Sequence, residues 1–348
     1  MLKKIICFLL IVLFIQSAYG QKFIYKIDNL TYFDNRVFYS PYSPTKLFFG
    51  NRLTPLVGLS LTDKEKAEHR LYAGITFLQP FGAEWESYKF LPTIYYQYER
   101  YEWKLRFGTV PYREMLMSLP SYVRRGSAEY SQPNMQGGLL QYKGKKGYVE
   151  FLADWRELKT NQKRDNFGVI LDGKYTSTLG CGHSKHKYMY YLGGVAQWDR
   201  LGNSVLVKYN VCDNLLINPF VGADFANGTV FKTLSLELGY ILGYQNDRLN
   251  INKQITNALV AEASIQWKML GLKNTFYVSD NNLMALYQDY ALLFIGTPDF
   301  QSKLYNVASF SVDLLKGSVF SLKATAAFHY VIDYKLGFQQ KITASVKL

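Results

Sequence analysis

The chain predicts a closed antiparallel transmembrane β-barrel of about sixteen strands, with a range of fourteen to eighteen, and three observations carry that prediction. The first is its ending, Ile342-Thr343-Ala344-Ser345-Val346-Lys347-Leu348, where apolar and polar residues alternate to the last position. In an extended strand Ile342, Ala344, Val346 and Leu348 share one face, suited to lipid, and Lys341, Thr343, Ser345 and Lys347 share the other, suited to water. The second is the N-terminus: Lys3 and Lys4, an apolar run from Ile5 to Ile15 and the small residues of Ala18-Tyr19-Gly20 form a secretion signal, with the mature domain at 21–348. The third is composition. Hydrophobic residues make up 48% and aromatics 16% of the chain, yet mean hydropathy is slightly negative, as it is when apolar residues are diluted one for one by polar ones. After Gln21 no apolar stretch approaches the roughly 18 residues that a helical span needs. Many segments alternate for about nine residues or more, enough to cross a bilayer at a tilt and longer than the strands of a soluble sandwich.

The elements follow in order. Val57, Leu59 and Leu61 share one face of an early strand, and Leu71, Ala73, Ile75 and Phe77 one face of the next. Trp103, Leu105 and Phe107 oppose Lys104 and Arg106; Val149, Phe151, Ala153 and Trp155 oppose Glu150, Asp154 and Arg156; Val169, Leu171 and Tyr175 oppose Asp172 and Lys174. Later, Leu259 to Met269 at every second position opposes Glu262, Ser264, Gln266 and Lys268, and Phe320, Leu322, Ala324, Ala326 and Phe328 oppose Ser321, Lys323 and Thr325. The charges fall on the face away from lipid. With odd strands running outward, short periplasmic turns are expected at Arg100-Tyr101-Glu102, Lys143 to Gly147, Leu270-Gly271-Leu272 and Lys316-Gly317-Ser318. The two longest connections, Arg113 to Asn134 and Asp280 to Lys303, then lie outside. Gly180 to His186 and Asn218 to Gly228 are longer than a periplasmic turn requires. Asn282 to Phe294 carries a weak helical spacing, which more often marks a packed loop.

Formal net charge is +13, of which Lys3 and Lys4 leave with the signal. That balance favours anionic partners such as lipopolysaccharide phosphates and anionic solutes, and export argues against nucleic acid. Cys181 and Cys212 could pair in an oxidising compartment, but two cysteines make no disulfide framework. Cys181-Gly182-His183-Ser184-Lys185-His186 offers soft-metal ligands, three at most, beside repelling lysines; a Gly-rich turn is the better reading, and no metal or cofactor is expected. His69, His183, His186 and His329 are the only histidines, and no G-x-S-x-G, H-E-x-x-H or phosphate-loop motif occurs. No catalytic residue is assigned, and the chain is expected not to be an enzyme.

The most suggestive segment is Pro111 to Gly138, a long connection with Arg113, Arg124, Arg125, three tyrosines and three prolines. Folded into the lumen as the third outward loop, it would set Arg124 and Arg125 at a constriction, with Arg113, Lys104, Arg106, Lys174 and Lys268 as further candidate pore-lining cations. The same arginines would otherwise bind lipid phosphate at the surface. Tyrosine clusters such as Tyr95-Tyr96 and Tyr190-Tyr191 are expected first as membrane-interface girdles and only then as sugar platforms.

On the signal, the alternation and the loop order, the mature chain resembles porin-like outer-membrane barrels of Gram-negative bacteria. Its Gln21 start and its Tyr, Lys and Asn usage are similar to those of the Bacteroidetes. Leu348 stands where many such barrels have Phe. The resemblance implies a passive channel for small hydrophilic solutes, anionic ones among them, in the outer membrane, in contact with its lipids and lipopolysaccharide. The alternatives are a non-transporting subunit of an outer-membrane or secretion complex and a rim-active lipid hydrolase.

Overall fold

The computed structural model describes residues 21–180, 187–205, 211–250 and 252–348. Sixteen strands follow one another in sequence order around a ring, each hydrogen-bonded antiparallel to its neighbours. They are β1 (Lys22–Val37), β2 (Lys46–Thr62), β3 (Glu68–Pro80), β4 (Lys89–Arg100), β5 (Trp103–Pro111), β6 (Asn134–Lys143), β7 (Gly147–Glu157) and β8 (Asn166–Gly180) in the first half. The second half comprises β9 (Lys187–Leu201), β10 (Cys212–Asp224), β11 (Thr233–Asp247), β12 (Asn252–Trp267), β13 (Leu270–Ser279), β14 (Leu304–Lys316), β15 (Phe320–Val331) and β16 (Gly337–Lys347). β16 closes onto β1, and pairing runs to the end of the chain: Ile27 and Leu348 exchange both backbone hydrogen bonds, at 3.0 and 2.9 Å. Closure is what lipid demands, since an open edge would leave N–H and C=O groups without partners in hydrocarbon.

The outward face is the apolar one. Val57, Leu71, Phe107, Val149, Leu259 and Ile342 are exposed on it, while their neighbours Leu56, Tyr72, Arg106, Glu150 and Ala258 are buried within. Both chain ends of the barrel and the short turns lie at one rim, the periplasmic one; the connections at 112–133 and 280–303, here L3 and L7, leave from the opposite, extracellular rim. The outer membrane is the location this architecture serves.

Several boundaries move relative to the sequence reading. Leu270–Leu272 begin β13, and the turn before them is Lys268-Met269. Lys268 holds φ +49° there and places its ammonium 4.9 Å from the Trp267 ring, so it does not line the lumen. Asn218–Asp224 belong to β10, leaving 225–232 as the connection. Asn282–Phe294 is a packed loop whose helical content is one tight turn, Ala291–Leu293. The signal at Met1–Gly20, the Cys181–His186 cluster and a Cys181–Cys212 bridge fall outside the described residues; Cys212 itself is buried.

L3 and L7 turn into the barrel and meet there. Arg125 N–H donates to Ile295 O at 2.7 Å and Thr297 N–H to Ser121 O at 2.8 Å. Gly296 is glycine because a Cβ would lie 2.2 Å from Tyr122 O. Around this junction Tyr122, Val123, Leu283, Met284, Phe294 and Phe300 pack on inward-pointing Leu139, Leu152, Ile170, Leu216 and Ile241 of β6, β7, β8, β10 and β11. That half of the barrel therefore has a dry core. The rest of the interior stays open along β12 to β16 and β1, and towards the periplasmic side this open space reaches Lys174 of β8 and Glu237 of β11.

Candidate functional site in the barrel interior

The open half is a cavity of about 710 Å³ bounded by the wall on one side and by L3 on the other. Towards the periplasmic side it is lined by opposed charges: Glu237 and Glu262, cross-strand partners on β11 and β12, with Lys273 Nζ 2.7 Å from Glu262 Oε1. Lys174 joins them, its ammonium 3.4 Å from the Tyr191 ring centroid.

Towards the extracellular side a chain of hydrogen bonds crosses β14, β15, β16 and β1. His329 Nδ1 lies 2.7 Å from Tyr305 Oη, and Nε2 lies 3.1 Å from Gln339 Oε1. The Gln339 amide donates to Asp34 Oδ1 at 2.6 Å, so its carbonyl is the group facing His329. A carbonyl accepts only, so Nε2 carries the proton and Nδ1 is left as an acceptor for the Tyr305 hydroxyl. Asp34 is held from behind by Arg36 Nη2 at 2.7 Å and by the Tyr130 hydroxyl at 3.2 Å. Phe38 covers the imidazole, with ring centroids 4.8 Å apart. Beside the chain, Asp299 of L7 accepts Ser40 Oγ at 3.0 Å and Ser43 Oγ at 2.8 Å. Burial pushes the Asp299 carboxyl above its ordinary range even though both serines donate to it. His329, Tyr305, Gln339, Arg36 and Lys341 all face the cavity. This arrangement is a base held in one tautomer, with a hydroxyl on its free nitrogen and cations nearby for a developing oxyanion.

The sequence-predicted cations divide by partner. Arg106, buried on β5, donates to Glu114 at 2.8 Å and to Gln97 and Gln141; Arg113 Nε sits 3.2 Å from Asp28. With Lys26 on Glu114 at 3.1 Å, and with Glu150 accepting the Leu116 and Met117 N–H groups at 2.9 and 2.7 Å, these pairs pin L3 inside. Burial alone would raise the Glu114 carboxyl, but Arg106 and Lys26 outweigh it and hold it below the usual range. Arg124 lies on the Tyr112 ring at 4.0 Å, donates to Gln132 O at 2.7 Å and faces the cavity; Arg125 contributes its backbone to the L3–L7 junction. Lys104 pairs with Glu99 at 3.1 Å. A charge withdrawn from water needs a partner, so most of these cations serve as anchors. Arg124 and Lys174 are the two among them that face the open cavity.

His69 is not part of the interior. It sits at the periplasmic rim on the lipid face, between Tyr96 Oη at 2.6 Å and Asp63 Oδ2 at 3.1 Å. The relay around His329 went unassigned in the sequence because its members are scattered over four strands, Asp34 and Gln339 being 305 positions apart. The one available signal was a histidine on the lumen side of a strand between aromatic lipid-facing neighbours, Phe328 and Tyr330. Among the described residues no group of three or more His, Cys, Asp or Glu side chains could hold a metal.

Comparison with known proteins gives two results of different kinds. A family model described as lipid A 3'-O-deacylase-type matches residues 15–348, nearly the whole chain. Because that family is one of enzymes, the expectation of a non-enzyme is overturned. Among solved structures, OccK2 (OpdF) of Pseudomonas aeruginosa, in complex with glucuronate, aligns with a TM-score of 0.54 at 10% identity over 94% of this chain and 98% of that one. OmpT of Vibrio cholerae, as a mutant lacking loop L8, aligns with a TM-score of 0.53 at 10% identity over 94% and 99%. OccK9 (OpdG) of Pseudomonas aeruginosa gives 0.52 at 11% identity over 94% and 98%. At such identities they share the porin-like outer-membrane fold with this chain. No curated protein matches it.

Proposed function

Because the chain belongs to the lipid A 3'-O-deacylase-type family, we propose that it is an outer-membrane ester hydrolase that removes an acyl chain from an acylated glycolipid. The observation that carries the placement of the reaction is the Tyr305–His329–Gln339–Asp34 chain on the wall of the open cavity. Ester hydrolysis needs a base, a nucleophile and charge stabilisation for the carbonyl oxygen. A water taking the place of the Tyr305 hydroxyl at His329 Nδ1 forms the new bond to the carbonyl carbon as its proton passes to the imidazole. Arg36 and Lys341 stabilise the oxyanion. Collapse breaks the ester C–O bond, and the imidazolium returns the proton to the departing sugar oxygen, leaving a carboxylic acid and a free hydroxyl. Gln339 and Asp34 act as positioning residues, keeping Nε2 protonated so that Nδ1 remains the base.

The test is mass spectrometry of lipid A from cells producing the barrel, with fatty acid release measured on the purified protein. Loss of one ester-linked chain is expected, and His329→Gln should lower the rate by about 10² to 10⁴, the usual worth of a positioned base. His69→Gln, at the other rim, should leave it unchanged. Lipid A that keeps all its chains beside the folded wild-type barrel would overturn the reading.

A second reading, diffusion of small hydrophilic solutes through the same cavity, is favoured by its wall of opposed charges, Lys174 and Lys273 against Glu237 and Glu262. Planar-bilayer conductance of the mature chain tests it directly. An anion preference would come from Arg36, Arg124 and Lys341 at the extracellular side, because a Debye length of about 8 Å leaves little wall charge visible at the centre of a wide pore.

A further inference from the structure

The β5–β6 hairpin leaves the barrel wall at its extracellular tip. Below the tip it is bonded on both flanks, up to Tyr95↔Gly108 towards β4 and Gly137↔Asp154 towards β7. Above those pairs Thr109–Pro111 and Asn134–Gln136 pair only with each other, and Lys89–Ile94 of β4 pair with β3 alone. Gly108 and Gly137 face one another at the break. Gly108 has φ +126°, and a Cβ there would meet Ile94 O at 2.4 Å, so the bend requires glycine. The freed edge is satisfied locally. Thr93 Oγ1 donates to Leu91 O at 3.2 Å, Pro92 has no N–H to lose, and Asp154 takes Gln136 N–H at 2.7 Å and the Tyr112 hydroxyl at 2.5 Å.

A recess of about 370 Å³ opens at this break, and its rim includes the lipid-facing Pro92. Its depth holds two guanidinium groups, Arg124 and Arg156. The Arg156 side chain is only 9% exposed, and its Nη2 is taken by Asp199 at 2.6 Å. Its Nη1 has no hydrogen-bond partner, nor has Nε, which lies 3.5 Å from Asp154 Oδ2; Asn134 Oδ1 in the same recess is likewise unpartnered. Buried polar atoms normally find partners, and a cation does so with an anion. Apolar Leu91, Pro92 and Ile295 share the lining. β4 to β7 lie across the ring from β15, so this recess is distinct from the His329 chain, and among the described residues Arg124 is the one that borders both spaces.

We propose that the recess binds a phosphate group of an acylated lipid of the outer leaflet, with the guanidinium groups of Arg156 and Arg124 on the phosphate oxygens and an acyl chain along Leu91 and Pro92. Arg pairs suit phosphate because their planar N–H forks match its oxygens. The inference does not depend on the hydrolase reading, because it concerns retention of a lipid rather than its turnover.

Native mass spectrometry of the detergent-solubilised mature barrel tests it, with bis-phosphorylated lipid A, the same lipid dephosphorylated, and inorganic phosphate as competitor. One lipid A per barrel is expected, bound at least tenfold more tightly than the dephosphorylated form and not displaced by an equal concentration of inorganic phosphate. Arg124→Gln should weaken it about tenfold. Because Arg156→Gln would also leave Asp199 without its cation, Gln136→Trp, which fills the recess from its rim, is the second variant, checked for folding by heat-modifiable gel migration. Equal binding of the dephosphorylated lipid, displacement by inorganic phosphate, or full binding by folded Gln136→Trp would each overturn the proposal. A lipid held but never deacylated would leave it standing while the hydrolase reading failed.

Discussion

The two halves of the barrel interior use the same strand geometry to opposite ends. Along β6 to β11 the inward positions include Leu139, Leu152, Ile170, Leu216 and Ile241, each almost wholly buried under L3 and L7, and the polar groups between them, such as Gln141, Glu150, Gln197 and Asp199, are buried with hydrogen-bond partners. Along β12 to β16 the inward positions include Glu262, Lys273, Thr325, His329 and Lys341, bordering open space. A barrel wall sets only which face is inside. Whether that inside is wet or dry depends on what folds into it, and this chain commits one half to anchoring its loops and leaves the other for chemistry.

If the contrast holds, the largest effect comes from charging the dry half. Ile170→Asp would bury a carboxylate with no partner, and the folded gel form should be lost; Thr325→Asp, facing the open cavity, should fold normally. Truncation is gentler: Ile170→Ala should lower stability by about 2 to 5 kcal/mol in a urea titration followed by gel migration, the ordinary range for a buried aliphatic side chain. Equal outcomes at the two positions would mean that the halves do not differ.

The outer surface is a control, since both halves meet lipid alike. Ala263→Arg or Ala324→Arg should cost about 2 to 4 kcal/mol near the bilayer midplane, and lumen-side Ser264→Arg much less. A matching loss at Ser264 would shift the register by one residue.

L3 docking should also respond to acid. Glu114 is held below the usual carboxylate range in the folded state by Arg106 and Lys26, so its contribution is complete above the ordinary glutamate pKa. It falls away as pH drops through the depressed folded value. Protease cleavage within L3 should therefore rise in strongly acidic buffer, and Glu114→Gln should be open to cleavage at neutral pH as well. Cleavage of wild type that is flat down to the unfolding pH would remove Glu114 from the latch.

The smallest effects belong to single polar contacts and to selectivity. Tyr122→Phe removes the 2.6 Å bond to Asn218 and should cost about 1 kcal/mol. If the cavity conducts, Arg124→Glu with Arg125→Glu should move the reversal potential only modestly towards cations. Arg124 is already flanked by Glu129 at 3.6 Å, and Arg125 takes part through its backbone. A large shift would put both arginines at the constriction after all.

Period-two alternation, strong at Leu71–Phe77 and Ile342–Leu348, was enough to determine a membrane barrel, its lipid face and a strand count within two of sixteen, and the lengths of the turns then gave the side from which the long loops leave. The reason is local: in hydrocarbon every strand must pair and every outward side chain must be apolar. Even the dry half left a trace, in doubled apolar steps such as Leu139-Leu140, Phe151-Leu152 and Val169-Ile170-Leu171, where both faces of a strand are buried or lipid-facing. Tertiary structure alone decided that Arg106 and Arg113 anchor L3 instead of lining a pore, that Lys268 belongs to a turn, and that Asp34, Tyr305, His329 and Gln339 meet. Ring closure joins β1 to β16 across the whole length of the chain, and no local pattern encodes which inward side chains that closure brings together.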